Sequence, residues 1–349
     1  MTQQRETKRR HIVYGLSGVV AVLALGNFAG RPSTPDYLLT ERQGQLVFPR
    51  LARRAADADT IRITVPDQVY TLVRDETVDG RWLMTEAGGF PVRADMLAAL
   101  TRGLTSMEWG LTRTRDADKL DRIGLGDPEN GGTGARIDVL SDGETTLASL
   151  ITGRKEDRVY ARFSDETKSF RVTADLPPLY RPQTWLDLDI IDMQPEAIGA
   201  VRITDRRGRG VYLTRPPGSS ERAFRLAPPY QNDTLVSRAA AVGPALALSR
   251  FTPIDVRPAD NLATRSAGRH VTTTHDGLEI AVTAYEEEDG YFVTLRAIEA
   301  GEGAARAQTI NSRAAGWAFE LDEVDWLEFT PSVRSIVRRQ APVTNPPTP

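Results

Sequence analysis

Two short segments, TIRITV at residues 60–65 and AVRITD at residues 200–205, decide the fold of this chain. In both segments, branched apolar residues alternate with polar ones, which is the pattern of a strand with one buried face. A hairpin-like stretch, a proline and a helical window then follow each segment in the same order. This shared order predicts that the body of the chain is an internal duplication.

The helical windows of the two copies also match. Apolar residues recur at spacings of 3, 4 and 3 in the first window and 4, 3 and 4 in the second, so each window predicts an amphipathic helix. The helices end at Trp109 and Phe251, each 27 residues after an aromatic residue of the hairpin, Trp82 or Phe224. Pro244 lies inside the second helix and predicts that this helix is kinked or shortened.

The second part of each copy repeats in the same way. An Asp-Gly turn between two alternating segments occurs in residues 135–150 and again in residues 269–284, which predicts two hairpins. The later strands match in pairs, 158–163 with 290–296 and 169–180 with 316–327. We therefore expect an α+β fold of two tandem β-rich repeats, each an antiparallel sheet with one amphipathic helix.

A membrane segment precedes the repeats. Residues 12–30 contain no charged side chain and would form a helix of about 28 Å, close to the thickness of a bilayer core. The basic residues within 1–11 would stay in the cytoplasm and send the rest of the chain into the periplasm. We favour an uncleaved transmembrane helix, so the inner membrane is itself a binding partner; a cleaved signal peptide and a buried core helix are the alternatives.

These patterns divide the chain into six parts. They are a basic cytoplasmic N-terminus (1–11), a transmembrane helix (12–30), a linker with some helical character (31–57), a first repeat (58–193), a second repeat (194–337) and a disordered proline-rich tail (338–349).

The composition excludes several classes of function. The 349 residues include no cysteine, which rules out disulfides, thiol catalysis and cysteine metal sites. Three histidines leave little room for imidazole chemistry. The 44 basic residues are balanced by 47 acidic ones, and this speaks against a nucleic-acid-binding protein.

Candidate metal and phosphate sites each have a simpler explanation. His270 and His275 lie five residues apart in an extended segment, so we expect them on opposite faces of a strand surface. The acids Asp187, Asp189 and Asp192 lack the glycine and terminal glutamate of a calcium loop. The glycines at 124–134 lack the lysine of a phosphate-binding loop. We therefore expect no metal site, no cofactor and no catalytic residue.

Two other groups of side chains are candidates for contact with a partner. The acids at 286–289 are typical of a solvated hairpin tip. The chain's five tryptophans lie at strand or helix ends in apolar patterns, which favours core packing. Trp185 and Trp326 have a second interpretation as parts of an exposed surface that contacts a partner protein.

Four motifs carry a family resemblance: GLGDP at 124–128, VYAR at 159–162, FRV at 170–172 and PQTWLDLDI at 182–190. In this order the chain resembles the DUF4340 family, a domain of unknown function in bacterial envelope proteins behind a single N-terminal membrane helix. The resemblance covers most of 58–193 and, more weakly, 195–330, where the Gly-Leu-x-x-Pro element is missing.

The resemblance implies a role beside ABC-type transporter components of the kind linked to gliding motility, and it supplies no catalytic residues. We expect a non-catalytic, membrane-anchored periplasmic accessory or scaffold protein. The alternative is an envelope sensor that binds a glycan or peptide in the groove between the repeats. A hydrolase would have to depend on carboxylates alone.

Overall fold

Two large antiparallel sheets form most of the computed structural model, which describes residues 42–263, 265–298 and 303–339. The strands of the first sheet are Thr60–Val65 (β1), Gln68–Arg74 (β2), Trp82–Met84 (β3), Phe90–Pro91 (β4), Glu108–Thr114 (β5), Ala135–Ser141 (β6), Thr145–Lys155 (β7), Arg158–Phe163 (β8) and Ser169–Thr173 (β9). Their order in the sheet is β4-β3-β2-β1-β6-β7-β8-β9-β5.

The second sheet has eight strands. They are Ile198–Asp205 (β10), Gly210–Thr214 (β11), Arg225–Leu226 (β12), Asp255–Pro258 (β14), Gly268–Thr274 (β15), Glu279–Glu286 (β16), Tyr291–Ile298 (β17) and Trp317–Leu321 (β18). Their order is β12-β11-β10-β15-β16-β17-β18-β14. Thr234–Leu235 (β13) and Val337–Arg338 (β19) form a separate two-stranded ribbon.

The helices are Leu51–Arg54 (α1), Ala94–Thr105 (α2), Arg238–Leu246 (α3), Ala304–Ala314 (α4), Glu323–Phe329 (α5) and Val333–Ile336 (α6). The α+β class and the two large sheets are therefore confirmed. The prediction of one helix per repeat is wrong for the second half, where α4, α5 and α6 follow α3. Helix α4 is rich in alanine, and its buried stripe is Ala307, Ile310 and Ala314, which gives little hydrophobic signal.

Apart from the edge strand β4, which has no counterpart in the second sheet, the two sheets share one strand order, as expected of a duplication. Strand β1 lies between β2 and β6, and β10 lies between β11 and β15. The strand that follows the amphipathic helix, β5 or β14, is at the far edge of its sheet. The exact limits of the two repeats, 58–193 and 194–337, stay a prediction.

An arginine and an aromatic ring pack together at the same place in both halves. The Arg74 guanidinium lies 5.7 Å from the ring centroid of Trp82, and Arg215 lies 4.8 Å from that of Phe224. Each arginine donates to a backbone carbonyl just before or at the start of the first strand, with Arg74 bonding Ala56 at 2.7 Å. The predicted match of Trp82 with Phe224 is thus supported, because each ring packs on the equivalent arginine of its half.

The strand registers correct one detail of the sequence match. Ile63 pairs with Ile137, whereas Ile203 pairs with His270, so Ile137 and His270 occupy equivalent positions. Aligning the two Asp-Gly turns would instead match Ile137 with Val271. The Asp-Gly pair occupies the first two positions of the three-residue turn in the first half and the last two in the second. This slip of one residue exchanges the two faces of the strand.

The sequence predicted that His270 lies on a strand surface, and this prediction is wrong. As a consequence of the register, His270 is a core residue. Its side chain is fully buried, and its ring packs edge-on against Phe329 with 5.2 Å between centroids. Its Nε2 lies 2.7 Å from the carbonyl oxygen of Pro244 in α3. Since a carbonyl only accepts, Nε2 carries the proton, and the neutral ring ties α3 to the sheet.

The predicted linker and tail are partly built into the fold. Val47 and Leu51 are buried, and the Val47 amide donates to the Met107 carbonyl at 2.8 Å. At the other end, Arg338 pairs with Thr234 in the ribbon. Residues 42–57 and 338 therefore pack against the two halves.

The predicted transmembrane helix at residues 12–30 lies outside the described residues, as do 1–11, 31–41 and the tail from residue 340 onward. Within the described ranges, no helix is both long and apolar enough to cross a membrane.

The two halves meet at an aromatic joint. Phe90 in the edge strand β4 contacts Trp317 and Phe319 of β18, with ring centroids 5.0 and 6.1 Å apart. At the surface of the joint, Arg313 and Asp187 form an ion pair of 2.9 Å. These contacts merge the apolar interiors of both halves into one core.

Candidate functional site

Each half contains a cavity at one end of its sheet. The cavity of the first half, here called the apolar pocket, has a volume of about 320 Å³ and is lined by Ala135, residues 152–154, Val159 and residues 176–180. The cavity of the second half, here called the basic pocket, has about 400 Å³. Its walls include Arg206, Arg207, Arg209, Glu286, Trp326 and Arg334.

The two pockets occupy equivalent places in the two sheets. Ala135 pairs with Thr152 in the first sheet, and Gly268, at the equivalent position, pairs with Ala284 in the second. Two residues further along the same strands, Arg154 of the apolar pocket therefore corresponds to Glu286 of the basic pocket. The same place thus forms an apolar pocket in the first sheet and a basic pocket in the second.

A proline-containing segment, residues 174–180, covers the apolar pocket. The buried hydroxyl of Tyr70 donates to the Leu179 carbonyl at 2.7 Å, and the Trp185 indole Nε1 donates to the Pro178 carbonyl at 2.9 Å. Burial raises the pKa of Tyr70 above its ordinary value, so its hydroxyl stays a donor. Trp185 has no exposed surface. Of its two interpretations, the structure supports packing, because a fully buried indole offers nothing to a partner.

In the second half, helix α5 takes the place of that segment. Trp326 and Phe329 point inward, and Trp326 forms part of the wall of the basic pocket. Its side chain is 5 % exposed, and its Nε1 has no hydrogen-bond partner in the described parts of the chain. Buried indole donors normally find an acceptor, so this N–H is an unsatisfied group in the interior beside the pocket.

The charges of the basic pocket are mainly positive. Arg206 forms an ion pair with Glu286, and Arg209 pairs with Asp205 at 2.6 Å. Burial opposes the ionisation of Asp205, but hydrogen bonds from Arg209 and from nearby amides lower its pKa below the ordinary value. Arg207 and Arg334 are exposed and have no ion pair with any described residue.

An adjoining cavity shares Arg206 and Glu286 and adds Arg265. The combined site holds five arginines against two carboxylates, in a chain whose net charge is −3. Sequence reasoning missed this site. The run RRGR at 206–209 was the available signal, but Arg265 and Arg334 are brought to it only by the fold.

The glycine-rich segment 124–134 is a loop, as predicted. A Cβ added at Gly132 would lie 2.2 Å from the carbonyl carbon of Gly126, so the glycines permit two backbone segments to touch. The buried Arg162 donates through Nε to the Leu125 carbonyl at 3.0 Å. Arg162 therefore joins two of the family motifs, GLGDP and VYAR.

The acidic candidates lie in separate surroundings. Asp187 pairs with Arg313, and within the described residues there is no group of three or more histidine or acidic side chains placed to hold a metal ion. At the hairpin tip, Glu287 accepts from the Ala263 amide at 2.8 Å and Asp289 pairs with Arg257 at 2.7 Å. These acids thus bind neighbouring groups of the same half. His275, unlike His270, is exposed.

Comparison with known proteins gives one family match. No curated protein and no solved structure matches the chain. The family model described as "Domain of unknown function (DUF4340)" matches residues 82–264, slightly more than half of the chain. The matched interval begins at β3, contains the four motifs and the glycine loop, and continues across residue 194 into the second half. The chain therefore belongs to the DUF4340 family.

Proposed function

We propose that this protein is a non-catalytic accessory or scaffold protein of the bacterial envelope and an auxiliary component of an ABC-type transport system. In this proposal, residues 12–30 anchor it in the inner membrane with the N-terminus in the cytoplasm. The two sheets then lie in the periplasm. The uncharged run and its basic flank support the topology, and the family resemblance supports the transport context.

One surface of the second half carries the scaffold proposal. Helix α5 buries Trp326 and Phe329 but exposes Val324 at 72 % and Leu327 at 50 %. Residues three apart lie side by side on a helix, so these two side chains form an apolar strip next to the basic pocket. Exposed apolar side chains on a regular element are typical of a protein contact surface. We propose that the partner binds this strip.

The shifted titratable groups also support a non-catalytic role. Asp75 accepts from the side chain and amide of Thr77 and pairs with Arg81, and these bonds lower its pKa to about 2. His270 holds a helix, and Asp205 holds a turn. Each of these groups stabilises the fold of its own half.

Crosslinking in membranes tests the accessory role. A photoreactive residue placed at Val324 should capture a transporter subunit, identified by mass spectrometry. The matched control is Val78, which is exposed to 43 % in the first half and should not capture that subunit. Capture of the same proteins at both positions, or of no transporter component at Val324, would contradict the proposal.

Ligand binding by the apolar pocket is a second candidate. The joint between the halves is filled by Phe90, Trp317 and Phe319, which leaves the pockets inside each half as the better places for a glycan or peptide. Tyr180, half exposed at the apolar pocket, supplies an aromatic surface of the kind that such ligands stack on. Thermal unfolding with envelope glycan fragments and short peptides should show a shift that Tyr180→Ala removes. The absence of any shift for the unaltered protein would reject this candidate.

A further inference from the structure

We infer that the basic pocket is a binding site for a phosphate-bearing ligand, with Arg207 and Arg334 as its principal contacts. The inference goes beyond the accessory role, because the binding it describes requires no partner protein, although Leu327 belongs to both the apolar strip and the pocket wall.

The charge of the pocket calls for an anion. Arg206 and Arg209 are paired with Glu286 and Asp205, and these two pairs hold their guanidinium groups in place. Arg207 and Arg334, together with Arg265 in the adjoining cavity, leave positive charge that no described carboxylate neutralises. A phosphate monoester, with up to two negative charges, would balance Arg207 and Arg334 together, and a phosphodiester headgroup, with one, would balance half of this charge.

The hydrogen-bonding groups of the pocket point to the same chemistry. The guanidinium of arginine presents donors in a planar fork that fits phosphate oxygens in pairs. A fully ionised phosphate offers acceptors alone, which matches the guanidinium donors of Arg207 and Arg334.

The size of the pocket indicates that the phosphate is part of a larger molecule. A volume of about 400 Å³ falls in the range of small-molecule sites and exceeds what a phosphate group alone would fill. Ala267 and Leu327 also line the pocket and offer apolar contacts to the remainder of the ligand. A soluble phosphate ester and a phospholipid headgroup both have this chemistry.

Calorimetric titration of the full chain in phosphatidylcholine nanodiscs tests the inference, with glycerol 3-phosphate as the probe at constant ionic strength. The test variant is Arg207→Gln/Arg334→Gln. The matched control is Arg62→Gln/Arg113→Gln, which removes the same charge from exposed arginines of the first sheet. We expect the test variant to bind at least about tenfold more weakly, since each good arginine–phosphate pair contributes that much, and the control to bind within about twofold of the unaltered protein.

A second arm identifies the source of the phosphate. The thermal midpoint is measured in nanodiscs of phosphatidylcholine alone and of equimolar phosphatidylcholine and phosphatidylglycerol. A headgroup site predicts a higher midpoint with phosphatidylglycerol, lost in the test variant, and no calorimetric signal with the soluble ester. A soluble-ligand site predicts the reverse.

Two outcomes would overturn the inference. One is that neither glycerol 3-phosphate nor phosphatidylglycerol affects the unaltered protein. The other is that the test and control variants lose binding equally, because that result indicates a diffuse counterion effect and not a pocket.

Discussion

At the scale of single residues, His270 shows how burial changes the role of an ionisable side chain. It occupies the position that an isoleucine, Ile137, fills in the first sheet. Burial lowers its pKa to about 4, although the bond to the Pro244 carbonyl acts in the opposite direction. The folded protein therefore holds a neutral imidazole where the unfolded chain, with a pKa near 6.5, would protonate.

We expect this difference to make stability depend on pH. As the pH falls, the unfolded state takes up the proton before the folded state does. The contribution of His270 to the free energy of unfolding is therefore complete above about pH 6.5 and is lost as the pH drops toward 4, by up to about 3 kcal/mol. Urea unfolding at a series of pH values measures this slope. His270→Gln keeps a donor for Pro244 but cannot titrate, so its profile should be flatter. The control His275→Gln should keep the slope, and an equal flattening in both variants would contradict the assignment.

Arg162 is the second residue whose role follows from its contacts. Besides the Leu125 carbonyl, its guanidinium reaches three carbonyls in the turn after β8, those of Phe163, Ser164 and Glu166. A lysine has one ammonium group and cannot serve all four acceptors. We expect Arg162→Lys to reduce the free energy of unfolding by about 2–3 kcal/mol, with faster hydrogen exchange in the glycine loop. The exposed Arg171→Lys on β9 is the control, and equal losses would refute this role.

At the scale of elements, alternation and turn chemistry predicted most strands, because a half-buried strand leaves a period of two in the sequence. The strand register of the second hairpin relative to the first could not be predicted, because the two Asp-Gly pairs occupy different positions of their turns. Helix α4 was missed because its buried stripe consists mainly of alanine. The basic pocket was missed because its arginines come from three distant segments, the β10–β11 turn, the segment before β15 and helix α6, which only the fold brings together.

The segment 174–180 and helix α5 cover equivalent faces by different means, and the segment has no helical hydrogen bonds of its own. We expect it to depend on Tyr70. Tyr70→Phe removes only the hydroxyl and leaves the Leu179 carbonyl unsatisfied, at a cost of about 1–2 kcal/mol. Hydrogen exchange should quicken at Leu176, Leu179 and Tyr180, which carry the amide hydrogens of this stretch, and stay unchanged in β10–β18. Tyr212→Phe on β11 is the control, and uniform quickening of both halves would show that the hydroxyl does not act locally.

At the scale of the whole molecule, the joint decides whether the halves behave as one body. The Asp187–Arg313 pair contributes little to it, because both side chains are more than one third exposed and such pairs stabilise by about 0–1 kcal/mol. Phe90 is 1 % exposed, and Trp317 and Phe319 of the other half help to bury it. The stability of the joint therefore depends on this ring and not on the charges around it.

Cleavage between the halves tests this account. A protease site inserted at the exposed Gln194 should yield two fragments that remain associated, because separation would expose Phe90 and its partners to water. Phe90→Ala removes a buried aromatic ring, a change that costs about 3–5 kcal/mol in cores, so the cleaved variant should separate on a sizing column while both fragments keep their β-sheet circular dichroism. Asp187→Asn should leave the cleaved fragments together. Separation without any substitution would mean that the joint is weak and each repeat independent, whereas unfolding upon cleavage would mean that the two sheets share one indivisible core.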